Sequence, residues 1–589
     1  MTDMQHDPIS DALLQAIGEG LTAGRDGGSP GDPGGPAPAP EDGPPPEAEG
    51  AALPLNDYGN GLRVGLYFGR DLFFVPRLGW HCWDGRRWGA DEDALQVRKF
   101  AQRIAERIMA ERFHIEVPAH LERALAHFEP VKEELETLER LKETERDEAQ
   151  TERLLELRAL RRADEEARKQ IGKARADHVS FAKSSGNTTR ISNMMKEAQP
   201  ELATDVADLN PNTLDICCEN GVIELRLETD AHGTAWGEDG PKATARLVPH
   251  DRGQRITKMV AAPYQPDAPR PVFEAFLARV LPDADVRALV KRWFGYCLTG
   301  ETGEQKLAFL YGHGRNGKST LVDLLARIVA DYGTTLPIES LTGSEQRKGS
   351  DATPDLVRLP GARFVRASEP EQGQKMKEAL VKALTGGEPI LVRRMMQEFV
   401  EIQPQFKLTI SGNYKPEVRG ADDGIWRRIM LIPFTEQIPE DEVDPMLARK
   451  LWDERAGIFA WMVEGALEWM QTGLRPPASI LDATQEYRKE SDPMRLFLQT
   501  ECEITGDDED KIAAKFLGQA FNAWMSGNGD DPWRPRTTGM ALRKRAETVK
   551  SEDGKGFYLV KASTNFYHGI RLTDAARLAA DAWVGAGKD

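Results

Sequence analysis

Residues 306–325 limit the possible folds of this chain more than any other segment, and they read KLAFLYGHGRNGKSTLVDLL. A short apolar run precedes a loop of the form GxxxxGK(S/T), and an amphipathic run follows it. This is the pattern of a buried parallel strand, a phosphate-binding loop and a helix. Backbone N–H groups of such a loop surround phosphate oxygens at the amino end of the helix, where the helix dipole favours anions. The segment therefore predicts an α/β fold with a P-loop that binds a nucleoside triphosphate.

Each polar residue of this loop has an expected role. Lys318 is expected to reach the outer two phosphates, and the Ser319 hydroxyl is expected to bind Mg²⁺. ATP and Mg²⁺ are therefore the expected cofactors. The residues predicted to bind the nucleotide are Gly312, Gly314, Asn316, Gly317, Lys318, Ser319 and Thr320.

Three further positions supply what a P-loop needs for hydrolysis, because an acidic residue must also hold the metal and orient water. Glu369 follows the short run ARFVRAS and is the candidate acid and second Mg²⁺ ligand. Asn413 ends the apolar run FKLTISG, where its amide could contact the γ-phosphate. Arg427 and Arg428 precede the apolar run IMLIPF. An arginine supplied by a neighbouring subunit can raise turnover about a thousandfold or more.

The composition of the whole chain bounds the class of protein. A length of 589 residues predicts three or four domains. A formal charge of -18 argues against a protein coated in nucleic acid, although a local basic channel stays possible. The five cysteines form no CxxC pattern, which argues against zinc and disulfides. No apolar run approaches the roughly 20 residues of a membrane span. We therefore expect a cytoplasmic protein with no membrane partner.

Changes in composition divide the chain into six predicted segments. They are a disordered tail with a short amphipathic helix (1–52), a small mixed α/β domain (53–117), a charged helical hairpin (118–186), a mixed α/β region (187–269), an ATPase domain (270–475) and a winged-helix-like domain (476–589). The tail is rich in Gly, Pro and acidic residues, which cannot bury enough apolar surface to fold. The last segment combines two helices and a hairpin. It could bind DNA through Arg543, Lys544 and Arg545, or serve in packing and assembly.

The downstream order of motifs is more specific than the loop. GHGRNGKS is followed by ASEPE, LTGGEPILVRR, ISGNYKP and GIWRRIMLIPF. This order resembles the superfamily 3 helicases, and more narrowly the primase-helicase family of satellite phages, plasmids and poxviruses. The resemblance covers about 200–475 well and the preceding region more loosely. It implies an AAA+-like P-loop NTPase core with a mixed N-terminal region, a homo-hexameric ring, and 3′-to-5′ movement on single-stranded DNA.

The resemblance also assigns site residues. The expected catalytic residues are Lys318, Glu369, Asn413, Arg427 and Arg428, with Arg427 the leading candidate for the arginine that acts in trans. The stretch at 382–408 resembles a hairpin that projects into the ring channel. Its expected DNA contacts are Lys382, Arg393, Arg394 and Lys407. Single-stranded and forked duplex DNA are the expected partners.

Primer synthesis is not expected of this chain. Nucleotidyl transfer with two metals needs paired carboxylates on a strand, and no such pair precedes residue 200. A separate primase or polymerase is therefore a candidate partner.

Two other functions remain open from the sequence. The first is a P-loop motor for DNA packaging or ring loading, which would lack the TGG-containing hairpin. The second is a non-catalytic origin-binding ring in which the nucleotide only supports assembly. ATP turnover stimulated by single-stranded DNA, and lost in Lys318→Ala, distinguishes this ring from a helicase.

Overall fold

The computed structural model describes residues 44–228, 242–343, 353, 355–393, 399–418, 423–529, 531–551 and 553–587. The amphipathic helix expected near the amino terminus lies outside the described residues. The chain divides into two compact units. The first comprises the ranges Met1–Phe68 and Phe100–Ala198, and the second comprises Gly69–Lys99 and Gln199–Asp589. The predicted segment 53–117 therefore contributes to both units.

Helices and strands are numbered along the described chain. The strands are β1 (Leu72–Val75), β2 (Gly79–Trp83), β3 (Trp88–Asp91), β4 (Asp215–Cys218), β5 (Gly221–Leu227), β6 (Ala243–Val248), β7 (Leu307–Tyr311), β8 (Gly333–Thr335), β9 (Phe364–Ser368), β10 (Ile390–Arg393), β11 (Phe399–Ile402), β12 (Lys407–Gly412), β13 (Ile429–Pro433), β14 (Cys502–Ile504), β15 (Lys511–Ala513), β16 (Tyr558–Val560), β17 (Phe566–His568) and β18 (Ile570–Leu572).

The helices are α1 (Pro46–Ala52), α2 (Asp57–Phe68), α3 (Leu95–Gln102), α4 (Ile104–Glu111), α5 (Ala119–Phe128), α6 (Lys132–Arg140), α7 (Glu148–Ser185), α8 (Thr188–Glu201), α9 (Pro271–Val280), α10 (Ala284–Tyr296), α11 (Lys318–Val329), α12 (Ile338–Leu341), α13 (Glu378–Gly386), α14 (Asp423–Trp426), α15 (Leu447–Asp453), α16 (Arg455–Thr472), α17 (Ala478–Glu490), α18 (Pro493–Thr500), α19 (Ala514–Gly527), α20 (Pro535–Ala546) and α21 (Asp574–Gly585).

The first unit is helical, and two of its helices correct the sequence-based expectations. Residues 46–52 were expected to be disordered and form α1. In the segment predicted as a small mixed α/β domain, the run LRVGLYF reads as a strand from its composition but lies in α2. The Arg63 guanidinium donates to both carboxylate oxygens of Glu111 at 2.9 and 3.0 Å, and also to the carbonyls of Gly50 and Pro54. Both charged side chains are fully buried. This tertiary network holds α1 and α2 in place, and no local pattern in the sequence indicates it.

The charged segment after residue 118 is helical as expected. Helices α5 and α6 pack along the 38-residue helix α7. Their shared apolar cluster consists of Phe128, Leu135, Leu138, Leu154 and Leu157. A small apolar seam therefore joins helices whose other faces are charged and solvated.

The second unit is built on a parallel sheet of five strands in the order β13-β7-β12-β9-β8. Strand β12 pairs with β7 on one side and with β9 on the other. All six residues of β12 are buried, as is usual for a parallel strand that is covered on both faces. The carboxyl ends of β7, β12 and β9 consequently lie side by side.

Helices and a second sheet enclose this parallel sheet. The helical pair expected before the loop is present as α9 and α10, and α10 packs against α16. The Trp293 indole of α10 donates to Thr409 Oγ1 of β12 at 3.0 Å inside the core. Strands β4, β5 and β6 form an antiparallel sheet that joins the same apolar core.

The last part of the second unit contains α18 to α21 and two small sheets, β15-β17-β16 and β14-β18. The expected pair of helices followed by a hairpin is present as α19, α20 and β16–β17. Before them lies α17, whose Tyr487 is in the core beside the parallel sheet. Arg545 of α20 is half-buried and forms an ion pair with Asp492. None of the helices among the described residues is long and apolar enough to cross a membrane.

Arg63→Met is predicted to destabilise the first unit, because it leaves the Glu111 carboxylate buried without its cation. Removal of one partner from a buried pair costs about 3–5 kcal/mol. Amide hydrogen exchange in α2 and α4 should therefore be much faster in the variant. Arg140→Met is the matched control, because the Arg140–Glu136 pair is exposed and is worth about 1 kcal/mol or less. Equal exchange rates in the two variants would contradict this account.

Candidate nucleotide-binding site

The loop between β7 and α11 has the backbone conformation of a phosphate cradle. Gly317 caps α11 with a φ of 78°, a left-handed value that glycine adopts without strain. Gly314 and Arg315 also have positive φ values of 34° and 51°. The buried Asn316 amide donates to the Phe434 carbonyl at 3.1 Å, so the segment after β13 holds the loop in this shape.

Lys318 is the first residue of α11 and is 4% exposed. Its ammonium donates to the Gly312 carbonyl at 2.5 Å, to Asn316 Oδ1 at 3.0 Å and to Asn413 Oδ1 at 3.3 Å. Burial lowers the pKa of Lys318, and the nearby negative charge of Glu369 opposes this shift. A buried cation at the amino end of a helix is suited to an anionic ligand.

Asn413 lies where β12 ends and contacts the loop at two points. Its Oδ1 accepts from the Lys318 ammonium and from the Gly314 backbone N–H, each at 3.3 Å. The preceding residue, Gly412, packs tightly, because a Cβ there would lie 2.5 Å from Pro370 Cδ. This close approach brings the end of β12 against the segment that follows β9.

Glu369 is that segment's first residue and is exposed beside the loop. Its backbone N–H donates to the Ser411 carbonyl at 2.8 Å. Its φ of 58° is left-handed, which costs a non-glycine residue on the order of 1–3 kcal/mol and is characteristic of functional sites. The structure therefore brings Lys318, Asn413 and Glu369 together, as the loop pattern around Lys318 and the positions of Asn413 and Glu369 after strands indicated.

The donor set at this point fits a magnesium-bound nucleoside triphosphate. Ser319 and Thr320 lie in the first turn of α11, where the Ser319 side chain is exposed and Thr320 is half-buried. Backbone N–H groups and the Lys318 ammonium suit phosphate oxygens, and hydroxyl and carboxylate oxygens suit Mg²⁺. Ser319 and Glu369 are the residues that would hold the metal.

The two arginines before β13 differ in exposure. Arg427 is exposed, and its carbonyl accepts from the Lys306 ammonium at 2.5 Å. Arg428 is 8% exposed, and its guanidinium donates to the Gly424 carbonyl at 2.7 Å. Arg428 therefore fastens α14 to β13, whereas Arg427 is accessible to a neighbouring molecule.

A hairpin follows α13, where the sequence indicated one. Strands β10 and β11 pair antiparallel with Arg393 opposite Phe399. Arg394 lies outside the described residues. Leu391 on β10 is 59% exposed, so the described part of the hairpin presents apolar surface. Lys382 lies half-buried on α13 before this hairpin.

Lys407 is the site prediction that the structure contradicts. It was expected to contact DNA, but it begins β12 and is 2% exposed. Its ammonium donates to the carbonyls of Thr299, Glu301 and Gln405 and lies 4.6 Å from the centre of the Tyr296 ring. These contacts give Lys407 a structural role inside the core.

Comparisons with known proteins show similarity over parts of the chain. Residues 63–282 match a family described as D5 N terminal like, and residues 310–428 match a family of unknown function, DUF5906. A candidate helicase of Acanthamoeba polyphaga mimivirus is 28% identical over 43% of this chain and 28% of its own length. A candidate helicase of Frog virus 3 is 26% identical over 49% of this chain and 31% of its own.

A candidate primase of African swine fever virus is 23% identical over 38% of this chain and 22% of its own length. Parts of this chain are therefore similar to viral proteins that carry helicase and primase names. The matches span less than a third of each of these relatives. The apo structure of the NrS-1 C terminal region is 14% identical, covers 59% of this chain and 96% of that one, and has a TM-score of 0.32, which is too low to support a conclusion.

The sequence analysis did not single out two residues that lie near the candidate site. Lys415 lies two residues after Asn413, and Tyr487 lies on α17. Both border the same cavity as Asn413. The motif ISGNYKP contained Lys415, but nothing in the motif indicated which side chains would meet it.

Lys407→Met is predicted to change the pH dependence of stability. Burial lowers the pKa of Lys407 to about 7, against about 10.4 in an unfolded chain. Between these values the unfolded chain binds a proton that the folded chain has released, so Lys407 makes folding more favourable as the pH rises from 7 to 10. Denaturant titrations across this range should show wild-type stability rising relative to the variant, by at most about 1.4 kcal/mol per pH unit.

DNA affinity separates this role of Lys407 from the expected one. Folded Lys407→Met should bind single-stranded DNA at pH 7 as wild type does, and Arg393→Ala is the comparison variant. A Lys407→Met protein with wild-type stability at every pH and weakened, salt-sensitive DNA binding would restore the DNA-contact assignment.

Proposed function

We propose that the second unit is the ATP-driven motor of a superfamily 3 DNA helicase, with an AAA+-like P-loop domain that assembles into a homo-hexameric ring and moves 3′ to 5′ on single-stranded DNA. One observation carries the proposal. Asn413 Oδ1 contacts both the Lys318 ammonium and the Gly314 N–H at 3.3 Å, with Glu369 beside them. The phosphate-binding loop, the acidic residue Glu369 and Asn413 therefore lie in one place, as hydrolysis requires. We call Asn413 the sensor, because its amide would contact the γ-phosphate, and we call the segment after β12 that carries it the sensor loop.

Each side chain of this group has a distinct role in the proposal. Bound MgATP supplies the phosphoanhydride bond whose hydrolysis drives movement. Lys318 neutralises charge on the outer phosphates, and Ser319 holds Mg²⁺. Glu369 completes the metal site and orients the attacking water. Asn413 would hydrogen-bond the γ-phosphate. Because Asn413 also accepts a hydrogen bond from Lys318, the position of the Lys318 side chain would depend on whether the γ-phosphate is present.

The position of Arg427 supports its action on a neighbouring subunit. In the parallel pair, Ile429 lies opposite Leu307 and Pro433 lies opposite Tyr311. Arg427 is therefore at the amino end of the sheet, whereas the P-loop leaves the carboxyl end. The five residues of β13 separate the two ends by roughly 17 Å, which is farther than an arginine side chain extends. Arg427 would complete the site of the next copy, and this requirement favours a ring.

The β10–β11 hairpin supports a helicase over a packaging or loading motor, because those motors were expected to lack it. In the proposal Arg393 and Arg394 grip the phosphate backbone without sequence preference, with Lys382 behind them. The C-terminal winged-helix-like domain adds DNA contacts through the exposed residues Arg543 and Lys544 of α20. Arg545 is assigned to the Asp492 ion pair instead.

The relatives support a role in replication of phage, viral or plasmid DNA. They carry helicase and primase names, and each is far longer than the matched region. A separate primase or polymerase is the proposed partner for primer synthesis. The cytoplasm of the host is the proposed location.

Unwinding of a forked duplex with a free 3′ tail tests the proposal. Wild type with ATP and Mg²⁺ should separate the strands and should form a hexamer by mass measurement. Lys318→Ala should lose ATP turnover by about a thousandfold, because the outer phosphates lose their cation. Arg449→Ala, a change on the exposed surface of α15, should leave turnover intact. A protein that stays monomeric and unwinds nothing, with or without MgATP, would contradict the proposal.

Mixed rings test whether Arg427 acts in trans. Arg427→Ala should bind ATP normally and lose about a thousandfold in turnover. Mixing it with Lys318→Ala should restore part of the activity, because some interfaces then pair an intact Lys318 with an intact Arg427. If no activity returns at any ratio, although both variants form hexamers, Arg427 does not act across the interface.

A further inference from the structure

The loop that carries Asn413 is also held by contacts that do not involve Lys318. Two residues after Asn413, the Lys415 ammonium lies 5.0 Å from the centre of the Tyr311 ring and 5.4 Å from the centre of the Tyr487 ring. It also forms an ion pair with Glu490. The Lys415 side chain is only 20% exposed. A partly desolvated cation between two aromatic rings and a carboxylate is held by several attractions at once.

The partners of Lys415 come from two different elements. Tyr311 is the last residue of β7, directly before the P-loop. Tyr487 and Glu490 belong to α17, and the buried Tyr487 hydroxyl donates to the Pro416 carbonyl. The sensor loop is therefore bracketed by the strand that leads into the P-loop and by α17.

Packing alone leaves this loop room to move. A cavity of about 480 Å³ borders it, and the residues that line this cavity include Asn413, Lys415, Tyr487 and Trp524 of α19. Tyr414, between Asn413 and Lys415, is 46% exposed. A side chain that fastens the loop at Lys415 consequently determines where the Asn413 amide lies.

We propose that Lys415 is the positioning residue of the sensor. It holds the loop against Tyr311 and α17 so that Asn413 Oδ1 meets both Lys318 and Gly314. Lys415 does not touch the nucleotide; it acts through Asn413. The inference rests on the proposed function, because it assigns to Lys415 the placement of the group that contacts the γ-phosphate.

Steady-state ATP hydrolysis tests the role. Lys415→Met keeps the length of the side chain but removes the charge, so the kcat should fall on the order of tenfold to a hundredfold. The KM for ATP should change by less than about threefold, because the interaction lost is one made in the transition state. Lys415→Arg should recover most of the kcat, since a guanidinium can satisfy the rings and Glu490. Lys489 is an exposed lysine on α17, the helix that carries Glu490, and Lys489→Met should behave as wild type.

Amide hydrogen exchange without nucleotide gives a second readout that does not depend on turnover. The Gly314 N–H donates to Asn413 Oδ1, so a displaced sensor should speed exchange in residues 312–317. Exchange in α21 should stay unchanged, which shows that the protein is folded. Glu490→Gln should produce the same pattern more weakly, and it replaces Lys415→Met if that variant does not fold.

The outcomes separate this inference from the proposed function. A Lys415→Met protein with wild-type kcat and wild-type exchange in residues 312–317 overturns the positioning role, whether or not the protein unwinds DNA. A wild type without ATP turnover overturns the proposed function instead. Faster exchange in the variant would then still support the contact between Lys415 and the sensor loop.

Discussion

The pairing of β12 with both β7 and β9 is the constraint on which the candidate site depends. Parallel strands that are neighbours in a sheet end at the same edge, so three distant parts of the sequence meet there. The loop after β7 supplies Lys318, the residue after β12 is Asn413, and the residue after β9 is Glu369. Their side chains are therefore close enough to interact. The strand order also explains why Asn413 accepts hydrogen bonds from the loop that follows β7.

Buried charge has a structural role in several other places. The buried pair of Arg63 and Glu111 holds α1 and α2 in place within the first unit. Arg363, which directly precedes β9, is 1% exposed and donates to the carbonyls of Asp215 and Leu298. Lys407 makes similar contacts at the start of β12. In each case a long side chain brings N–H donors to carbonyls that would otherwise be buried without donors. Arg363 and Lys407 hold the strands that lead to the site and are not part of the site itself.

The sequence predicted the site better than the rest of the structure, for a physical reason. A short apolar run that ends in a polar residue marks the end of a buried strand, which placed Glu369 and Asn413 after strands, and the GxxxxGK(S/T) pattern placed Lys318 at the start of a helix. The residues next to Lys407 in the sequence are typical of those around an exposed lysine in a hairpin. Only the tertiary fold shows that Lys407 is buried. The same limit applies to Pro46–Ala52, where a composition typical of disorder is overridden by the Arg63 contacts. Lys415 contacts Tyr311, Tyr487 and Glu490, which are each more than 70 positions away in the sequence, so no local signal could indicate these contacts.

The central claim is that Asn413 reads the nucleotide held by Lys318, and comparison of binding with turnover in Asn413→Ala tests it most directly. Titration calorimetry with MgATP and steady-state hydrolysis would be measured on the same preparation of the full chain. The structure predicts that binding is kept within a few fold, because Lys318 and the loop remain, while turnover falls by about a hundredfold or more. Turnover equal to that of wild type would contradict the account, because the contact among Asn413, Lys318 and Gly314 would then have no part in hydrolysis.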